Sequence, residues 1–278
     1  MIIAEIGCNH KGDMKIAKQM IDIGAHYCGV DIVKFQKRNN RELLGDGYDD
    51  PHPCPENSYG DSYGLHRDYL EFDITKHKQL KRWCEDVGVI YSCSVWDMTS
   101  AKQIASLDPV MIKIPSAKNN HVEMLEWLNI NYRGQVHIST GMTTQEELDI
   151  AVSTFGSRLE DIVLYACTSG YPVPFEDICL LEIQRLITDY PVKVGFSGHH
   201  LGIAVDMAAW ALGAEYIERH YTLDRTWKGT DHAASLEPDG LRKLVRDIRA
   251  VDAALTYRPQ EILDIEAVQR DKLKGATA

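Results

Sequence analysis

The sequence alternates eight times between a short apolar run and an amphipathic segment, and few folds accommodate that pattern. The apolar runs, which indicate buried strands, are 1–7, 29–36, 89–94, 110–116, 135–140, 161–169, 192–197 and 215–221. Segments with helical spacing follow them at 14–27, 74–88, 97–107, 121–130, 143–155, 178–190, 202–214 and 238–255. Nearly continuous apolar strands joined by helices are typical of a parallel sheet that is covered on both faces. The pattern predicts an α/β fold, a single-domain (β/α)8 TIM barrel over residues 1–255.

Two stretches fall outside the alternation. Residues 37–68 form a long segment without clear periodicity, and loops of this length inside a compact domain are usually functional lids or covers. Residues 256–278 form a short charged tail that is too small for a second domain. A doubly wound open sheet is the alternative architecture, but no GxGxxG motif follows the first strand.

Capping residues mark the starts of two predicted helices. Asp13 precedes the first helix and can cap it. Thr143 and Glu146 have the T-x-x-E spacing of a capping box at the start of the fifth helix.

The charge and cysteine content restrict the class of partner and the compartment. The net charge of −11 argues against nucleic acid or an anionic membrane, and an anionic small molecule would need a locally basic pocket. The seven cysteines are scattered, odd in number and lack CxxC spacing, and the chain begins directly on a strand. These features predict a reduced, cytoplasmic protein. No apolar run is long enough to span a membrane.

Polar side chains lie at the carboxyl ends of the predicted strands, where a TIM barrel carries its active site. They are Glu5, Asn9, Lys34, Gln36, Ser94, Lys113, Ser116, Ser139, Thr140, Thr168, Ser169, Ser197, His199 and His220. If these ends served stability alone, apolar or turn residues would be expected there.

Two histidines end neighbouring strands. A strand, a crossover helix and a second strand form a right-handed parallel unit, which places His199 and His220 at the same end. With the acids Glu218, Asp224 and Asp231 nearby, this pair resembles a divalent-metal pocket. The alternative is that both histidines are ordinary loop or core residues.

Two lysines point to a bound anion. Lys34 and Lys113 extend the same way from strands two and four and suit a phosphate or a carboxylate. Buried lysines without an anion would be costly. One of them could instead be a Schiff-base nucleophile, as in some barrel aldolases. Two lysines beside a metal pair favour the phosphorylated anionic ligand.

Nine motifs occur in order between residue 2 and about residue 245. They are AEIGCNHKGD (4–13), DIVKFQ (31–36), LHRDYLEF (65–72), KIPS (113–116), STGM (139–142), CTSGYPVPFED (167–177), GFSGHHLG (195–202), ERHYTLD (218–224) and KGTDHAASLEP (228–238). In these motifs the chain resembles the sialic acid synthase family, the nonulosonic acid synthases. Members of that family condense phosphoenolpyruvate with an amino-sugar aldehyde. No single motif is decisive, but nine in order are highly specific.

The resemblance implies an activity and a set of site residues. The activity is a metal-assisted, aldol-type condensation of phosphoenolpyruvate with a sugar aldehyde, which gives a 3-deoxy-2-ulosonic acid and phosphate. His199 and His220 are implied to hold Mn²⁺ or a similar divalent ion such as Mg²⁺ or Co²⁺. Residues implied to bind phosphoenolpyruvate are Lys34, Lys113, Ser116, Ser169 and Ser197. Those implied to face the sugar or the reacting centre are Glu5, Gln36, Tyr171 and Asp231. Glu5 or Asp231 would handle the proton of the attacking water, and we expect a homodimer.

The chain departs from the family pattern on the acceptor side. Ala117 and Lys118 follow KIPS, where the family usually has glycine and an acidic residue beside the sugar aldehyde. Gly198 and His200 stand where aspartate and threonine are usual. The chain also ends before the antifreeze-like domain that commonly caps the partner's active site. We therefore place Lys118 among the candidate catalytic residues. The acceptor is predicted to differ from the usual N-acetylmannosamine-type sugar or to be held differently, and we expect it to be shorter or to carry a negative group.

Other functions remain open at this point. One is a different metal-dependent barrel aldolase, or a synthase that makes a shorter 3-deoxy-ulosonate from a pentose phosphate. A requirement for phosphoenolpyruvate in phosphate release would separate a synthase from an aldolase. The other is a catalytically silent barrel, which Lys118 favours and the retained lysines and histidines oppose. The segment 37–68 would enclose the sugar or pack at a dimer interface.

Overall fold

Eight parallel strands close into a barrel in the computed structural model, which describes residues 1–274. The strands are β1 (Ile2–Gly7), β2 (Ile32–Lys37), β3 (Ile90–Val95), β4 (Met111–Ile114), β5 (Gln135–Ser139), β6 (Ile162–Cys167), β7 (Lys193–Gly198) and β8 (Tyr216–His220). Each strand pairs with the next along the chain, and β8 pairs with β1. The predicted (β/α)8 barrel is confirmed.

Helices surround the barrel. They are α1 (Met14–Ile23), α2 (Asn40–Leu44), α3 (Tyr63–Leu70), α4 (Ile74–Asp86), α5 (Met98–Ala105), α6 (Val122–Asn131), α7 (Gln145–Ser153), α8 (Glu182–Asp189), α9 (Ala204–Ala211), α10 (Pro238–Ala254) and α11 (Asp264–Lys274). None of the helices within residues 1–274 is long and apolar enough to cross a membrane.

The segment 37–68 is more regular than its sequence indicates. It contains α2 and the start of α3, joined by short 3₁₀ turns. Asn39 caps α2 by accepting a hydrogen bond from the Glu42 amide, and Ser62 caps α3 through the Leu65 amide. The tail also contains a helix, α11, while residues 275–278 at its end lie outside the described part of the chain.

The predicted capping box at α7 is displaced by one residue. Thr144, rather than Thr143, is the cap, and its reciprocal partner is Glu147 rather than Glu146. The Thr143 hydroxyl is engaged elsewhere, because it accepts from the Asn119 amide and donates to the Gly141 carbonyl at 3.0 Å. Asp13 caps α1 as predicted.

The interior of the barrel is layered along its axis. Ile3, Ile32, Met111, Val163, Tyr165 and Tyr216 form a buried apolar cluster inside it. Two residues further along their strands, Glu5 and Lys34 are register partners with the same orientation as Ile3 and Ile32. The apolar layer therefore closes the barrel below a charged layer.

A buried ionic cluster secures the turn after β7. The Arg219 guanidinium donates to Asp206 Oδ2 at 2.5 Å, to the His200 carbonyl at 2.6 Å and to the Gly202 carbonyl at 2.9 Å. Its three side chains, those of Arg219, Asp206 and His200, are each at most 1% exposed. The cluster fixes the chain that directly follows His199.

Candidate active site

A cavity of about 280 Å³ opens at the carboxyl ends of the strands. Side chains from all eight strand ends line it: Glu5, Lys34, Gln36, Ser94, Trp96, Lys113, Pro115, Ser116, Ala117, Ser139, Met142, Cys167, Ser169, Tyr171, Ser197, His199, Glu218 and His220. The lining includes every residue to which a binding, metal or catalytic role was assigned from the sequence except Asp231 and Lys118. Among the other residues named there, Asn9, Thr140, Thr168 and Asp224 lie outside it. A cavity of this size holds a small ligand rather than a polymer.

The floor of the cavity is a buried network of two lysines and two carboxylates. Lys34 Nζ lies 2.5 Å from Glu5 Oε2 and 3.6 Å from Glu218 Oε2, and it donates to Ser94 Oγ at 2.7 Å. Lys113 Nζ lies 2.6 Å from Glu218 Oε1 and 4.0 Å from the Tyr165 ring centroid. The sequence predicted that these lysines would need an anion. In this structure the protein supplies that anion itself.

Mutual pairing decides the ionisation of this network. Burial would raise the pKa of Glu218, but Lys113 and then Lys34 hold it well below its ordinary value. Burial would lower the pKa of Lys34, which Glu218 and Glu5 instead raise. For Lys113, the effect of burial outweighs the attraction of the Glu218 carboxylate, and the pKa of Lys113 is lowered. A carboxylate with a low pKa beside Lys34 keeps the floor charged near neutral pH.

Hydroxyl groups cluster beside the lysines. A Cβ placed on Gly141 would lie 2.4 Å from Ser169 Oγ and 2.8 Å from Ser116 Oγ, so only glycine fits between these hydroxyls. The Gly141 amide donates to Ser116 Oγ at 3.1 Å, and Ser197 Oγ donates to Glu218 Oε1 at 3.1 Å. Hydroxyls and a backbone amide next to two ammonium groups suit phosphate or carboxylate oxygens.

The two histidines lie side by side, His199 directly after β7 and His220 at the end of β8, with ring centroids 5.5 Å apart. His199 Nδ1 lies 3.1 Å from the Thr168 carbonyl, which can only accept, so this nitrogen carries the proton and Nε2 is free to bind a ligand. Burial, followed by His220, lowers the pKa of His199 to about 3. His220 Nδ1 is buried without a hydrogen-bond partner.

Two of the three acids that the sequence places near the histidines are engaged in other contacts. Glu218 pairs with the lysines, and Asp224 accepts from the Thr226 amide at 2.8 Å in a local turn. Within residues 1–274, no three histidine, cysteine, aspartate or glutamate side chains converge on a common metal position. His199 and His220, the two predicted metal ligands, lie side by side, and Glu218 and Asp231 interact electrostatically with His220.

Three acceptor-side candidates lie at the rim of the cavity or outside it. The Tyr171 ring lies 4.3 Å from His199 and 6.1 Å from His220. Asp231 is partly buried beyond the lining. Burial would raise its pKa, but His220 and Arg67 hold it below the ordinary value. Lys118 ends the 3₁₀ turn Ser116–Lys118 and is partly exposed.

Some of the site was missed by the sequence reasoning. The link between Glu218 and both lysines was not anticipated, nor was the need for glycine at 141. The position of Glu218 could have been inferred from the predicted barrel. Glu218 lies two residues before His220 on the same strand, so both side chains point into the barrel interior. Gln36 was anticipated; it donates to Glu5 Oε1 at 2.8 Å and accepts from Arg38.

Comparison with known proteins gives concordant results. Residues 20–259 match the NeuB family. The human N-acetylneuraminate-9-phosphate synthase is 39% identical over 280 residues, which cover 98% of this chain and 76% of that protein. The N,N'-diacetyllegionaminic acid synthase of Campylobacter jejuni is 33% identical, covering 92% and 77%.

A solved structure agrees with these sequence relatives. The N-acetylneuraminic acid (sialic acid) synthetase of Leptospira borgpetersenii, crystallised with citrate, superposes with a TM-score of 0.83 at 29% identity. The match covers 98% of this chain and 92% of that one. The resemblance identified from the nine motifs is confirmed. The chain belongs to the NeuB family.

Proposed function

We propose that the chain condenses phosphoenolpyruvate with a sugar aldehyde to give a 3-deoxy-2-ulosonic acid and phosphate. The observation that carries this proposal is the cavity floor, where Lys34 and Lys113 lie beside the hydroxyls of Ser116 and Ser169. Its chemistry suits a ligand that bears both a phosphate and a carboxylate. The activities named for its family relatives are those of ulosonic acid synthases.

Phosphoenolpyruvate would bind on the floor of the cavity. Lys34 and Lys113 would pair with its phosphate and carboxylate, taking ligand oxygens in place of part of their contact with Glu5 and Glu218. The hydroxyls of Ser116, Ser169 and Ser197 would supply further hydrogen bonds. In this exchange the two lysines stay in contact with anionic oxygens throughout, which limits the cost of keeping them buried.

A divalent cation would be held by His199 and His220, with Mn²⁺ as our first choice and Mg²⁺ or Co²⁺ as alternatives. The fixed Nδ1 proton of His199 and the unpartnered ring nitrogen of His220 fit this role. Since two imidazoles leave coordination positions open, substrate and water oxygens would fill the rest. When bound, the ion would supply Lewis-acid activation of the acceptor aldehyde.

The reaction joins C3 of phosphoenolpyruvate to the aldehyde carbon, adds water at C2 and releases phosphate by cleavage of its C–O bond. Glu5 or Asp231 would accept the proton of that water, and the former aldehyde oxygen would take up a proton to become a hydroxyl group. Before substrate binds, Glu5 is paired with Lys34 and accepts a hydrogen bond from Gln36. Once Lys34 contacts the phosphate instead, the Glu5 carboxylate would be available as a base. Gln36 and Tyr171 would orient the sugar between the two halves of the site.

We further propose that the acceptor carries a negative group, with Lys118 acting beside the aldehyde. A lysine can only donate hydrogen bonds, whereas a carboxylate there could accept them from sugar hydroxyls. The relative that is 39% identical is named for a phosphorylated product. The chain's working form is proposed to be a cytoplasmic homodimer. All seven of its cysteines are unpaired, which fits that reducing compartment.

The test of the metal assignment is His220→Ala. We expect loss of Mn²⁺ binding in equilibrium dialysis and at least about a hundredfold loss in phosphoenolpyruvate-dependent phosphate release, because Lewis-acid activation contributes several kcal/mol. The control is His26→Ala, which alters an exposed histidine in the turn Gly24–Cys28 that follows α1. A folded His220→Ala protein that binds Mn²⁺ normally and turns over at the control's rate would refute the assignment. Formation of a carbon–carbon bond without phosphoenolpyruvate and without release of phosphate would point to an aldolase.

The acceptor proposal is tested by Lys118→Glu. We expect the preference between N-acetylmannosamine, pentoses, hexoses and their phosphates to change by about tenfold, since the substitution swings the local charge by two units next to the aldehyde. Steady-state kcat/KM values for each sugar give the ranking. The matched control is Lys78→Glu, an exposed lysine on α4. If N-acetylmannosamine ranks first and Lys118→Glu leaves both its rank and its rate unaltered, the proposal is wrong.

A further inference from the structure

Tyr165 lies beneath the cavity, on the side of Lys113 that faces the barrel interior. Its ring centroid is 4.0 Å from Lys113 Nζ. Tyr165 is fully buried and belongs to the apolar cluster inside the barrel, whereas Lys113 lines the cavity. The ring therefore contacts the ammonium group from below and leaves its cavity side open to a ligand. A cation over an aromatic face is attracted by the ring quadrupole, most strongly where water is excluded.

Neighbouring strands hold the Tyr165 ring in place. On β5, His137 Nε2 lies 3.2 Å from Gln135 Oε1, which can only accept, so Nε2 carries the proton. His137 Nδ1 then accepts a hydrogen bond from the Tyr165 hydroxyl at 2.7 Å. The Tyr216 hydroxyl on β8 donates to the same Gln135 oxygen at 3.2 Å. On β7, a Cβ at Gly195 would lie 2.7 Å from Tyr165 Cε1, so the ring packs closely against that backbone. Movement of the ring would break a buried hydrogen bond or press it against β7.

His137 suits this role because it stays neutral. Burial, followed by the charge of Lys113, holds the pKa of His137 well below its ordinary value. A neutral imidazole keeps one nitrogen as an acceptor for the Tyr165 hydroxyl. An imidazolium would lack that acceptor and would place a second cation beside Lys113. The hydrogen bond to the ring therefore persists at neutral pH.

The two lysines of the cavity floor have unequal support. Lys34 forms ion pairs with both Glu5 and Glu218. Among the carboxylates of residues 1–274, Lys113 pairs with Glu218 alone, and burial lowers the pKa of Lys113 further than this pairing raises it. A ligand oxygen that approaches Lys113 from the cavity takes over part of the Glu218 contact. The aromatic ring is then the neighbour of Lys113 that does not change.

We infer that Tyr165 is a positioning residue, whose ring holds the ammonium group of Lys113 in place while it passes from Glu218 to an oxygen of phosphoenolpyruvate. The inference rests on the proposed function. Tyr165 does not line the cavity, so it acts through Lys113 rather than by touching the ligand. Without the ring, Lys113 would depend more on Glu218, and drawing it away from that carboxylate would cost more. The affinity for phosphoenolpyruvate should therefore depend on the electron density of the ring and not only on its volume.

The test changes the electrons of the ring at nearly constant shape. Tyr165→Phe is compared with versions of the same variant in which the phenylalanine ring carries one, two or three fluorine atoms. Fluorine withdraws electron density from the ring face and so weakens its attraction for a cation. We expect the dissociation constant of phosphoenolpyruvate, measured by calorimetry, to rise with each fluorine and to reach at least about fivefold for the third. Equal or rising affinity along the series would overturn the inference.

Ordinary substitutions separate positioning from packing. Tyr165→Leu should raise the KM for phosphoenolpyruvate at least about fivefold and leave the KM for N-acetylmannosamine within about twofold, while Tyr165→Phe, which keeps the ring, should recover most of the loss. The matched control is Tyr216→Leu. Tyr216 belongs to the same buried cluster, but among residues 1–274 the ring that lies over Lys113 is that of Tyr165. An equal rise of the phosphoenolpyruvate KM in both leucine variants would indicate a packing effect and overturn the inference. If Tyr165→Leu does not fold, the fluorinated series decides.

An NMR measurement distinguishes this inference from the proposed function. In protein with isotopically labelled lysine, the ring current of Tyr165 should shift the ε-methylene protons of Lys113 upfield, and Lys113→Met assigns their signal by its loss. We expect the upfield shift to persist when phosphoenolpyruvate saturates the site. If the shift disappears on binding, the ring does not hold the lysine, and the inference fails while the proposed function stands. If phosphoenolpyruvate does not bind to the wild type, the proposed function fails and this role for Tyr165 fails with it.

Discussion

Replacing Asp206 with alanine is expected to lower the free energy of unfolding by about 3–5 kcal/mol. The substitution leaves the Arg219 guanidinium as an uncompensated cation in a fully buried position, 2.5 Å from where its partner stood. The remaining carbonyl contacts of Arg219 can satisfy hydrogen bonds but not its charge. Urea denaturation of the wild type and the variant gives the difference directly.

Two further variants establish that charge burial is the cause. Asp247→Ala removes an exposed carboxylate that lies 2.7 Å from Arg246, and we expect little change in the unfolding midpoint. The double variant Asp206→Leu/Arg219→Met removes both charges and should recover much of the loss, because a buried pair replaced by apolar groups is often neutral. A loss below about 1 kcal/mol in Asp206→Ala, or no recovery in the double variant, would contradict this account.

Replacing Lys113 with methionine is expected to weaken phosphoenolpyruvate binding at least about tenfold. The removed contact to a charged oxygen contributes about 1.5–3 kcal/mol, and 1.4 kcal/mol corresponds to a factor of ten. The variant also leaves Glu218 with Lys34 as its remaining cation, so the floor becomes net negative and repels the ligand. Calorimetric titration with phosphoenolpyruvate measures the dissociation constant.

The matched control is Lys193→Met. Lys193 is exposed at the amino end of β7, on the opposite face of the barrel from the cavity. The same loss of charge there should leave phosphoenolpyruvate affinity within about twofold, since exposed charges at a distance are screened. An unchanged dissociation constant in Lys113→Met would refute the assignment of this lysine to the anion.

The order and number of the barrel elements were predictable because each strand and helix has its own periodicity. The residues at which these strands and helices begin and end were less predictable. The helix predicted at 202–214 spans only Ala204–Ala211, since Gly202 and Gly213 adopt left-handed φ angles of +78° and +104° that a helix cannot continue through. In the segment 37–68, α2 and α3 are too short for apolar periodicity to be visible.

Site residues at strand ends were predictable because strand direction alone places them. The pairing of charged side chains across the barrel interior was not predictable. Lys113 and Glu218 are 105 residues apart, and their contact depends on which strands face each other across the closed barrel. Asp224 appeared to be a metal-side acid by proximity in sequence, but a local turn with Thr226 determines its position.

Closure of the barrel has a consequence for how the chain acquires activity during synthesis. The first and last strands are neighbours, with Glu5 and His220 as register partners, and the Asn9 side chain donates to the Tyr221 carbonyl at 2.8 Å. Contacts this distant in sequence form late in folding. A nascent chain that stops before β8 has both lysines and His199 but neither Glu218 nor His220. It also exposes the unpaired edges of β1 and β7, to which other chains can add. Addition of β8 therefore closes the barrel and brings the last side chains of the pocket into place in one step.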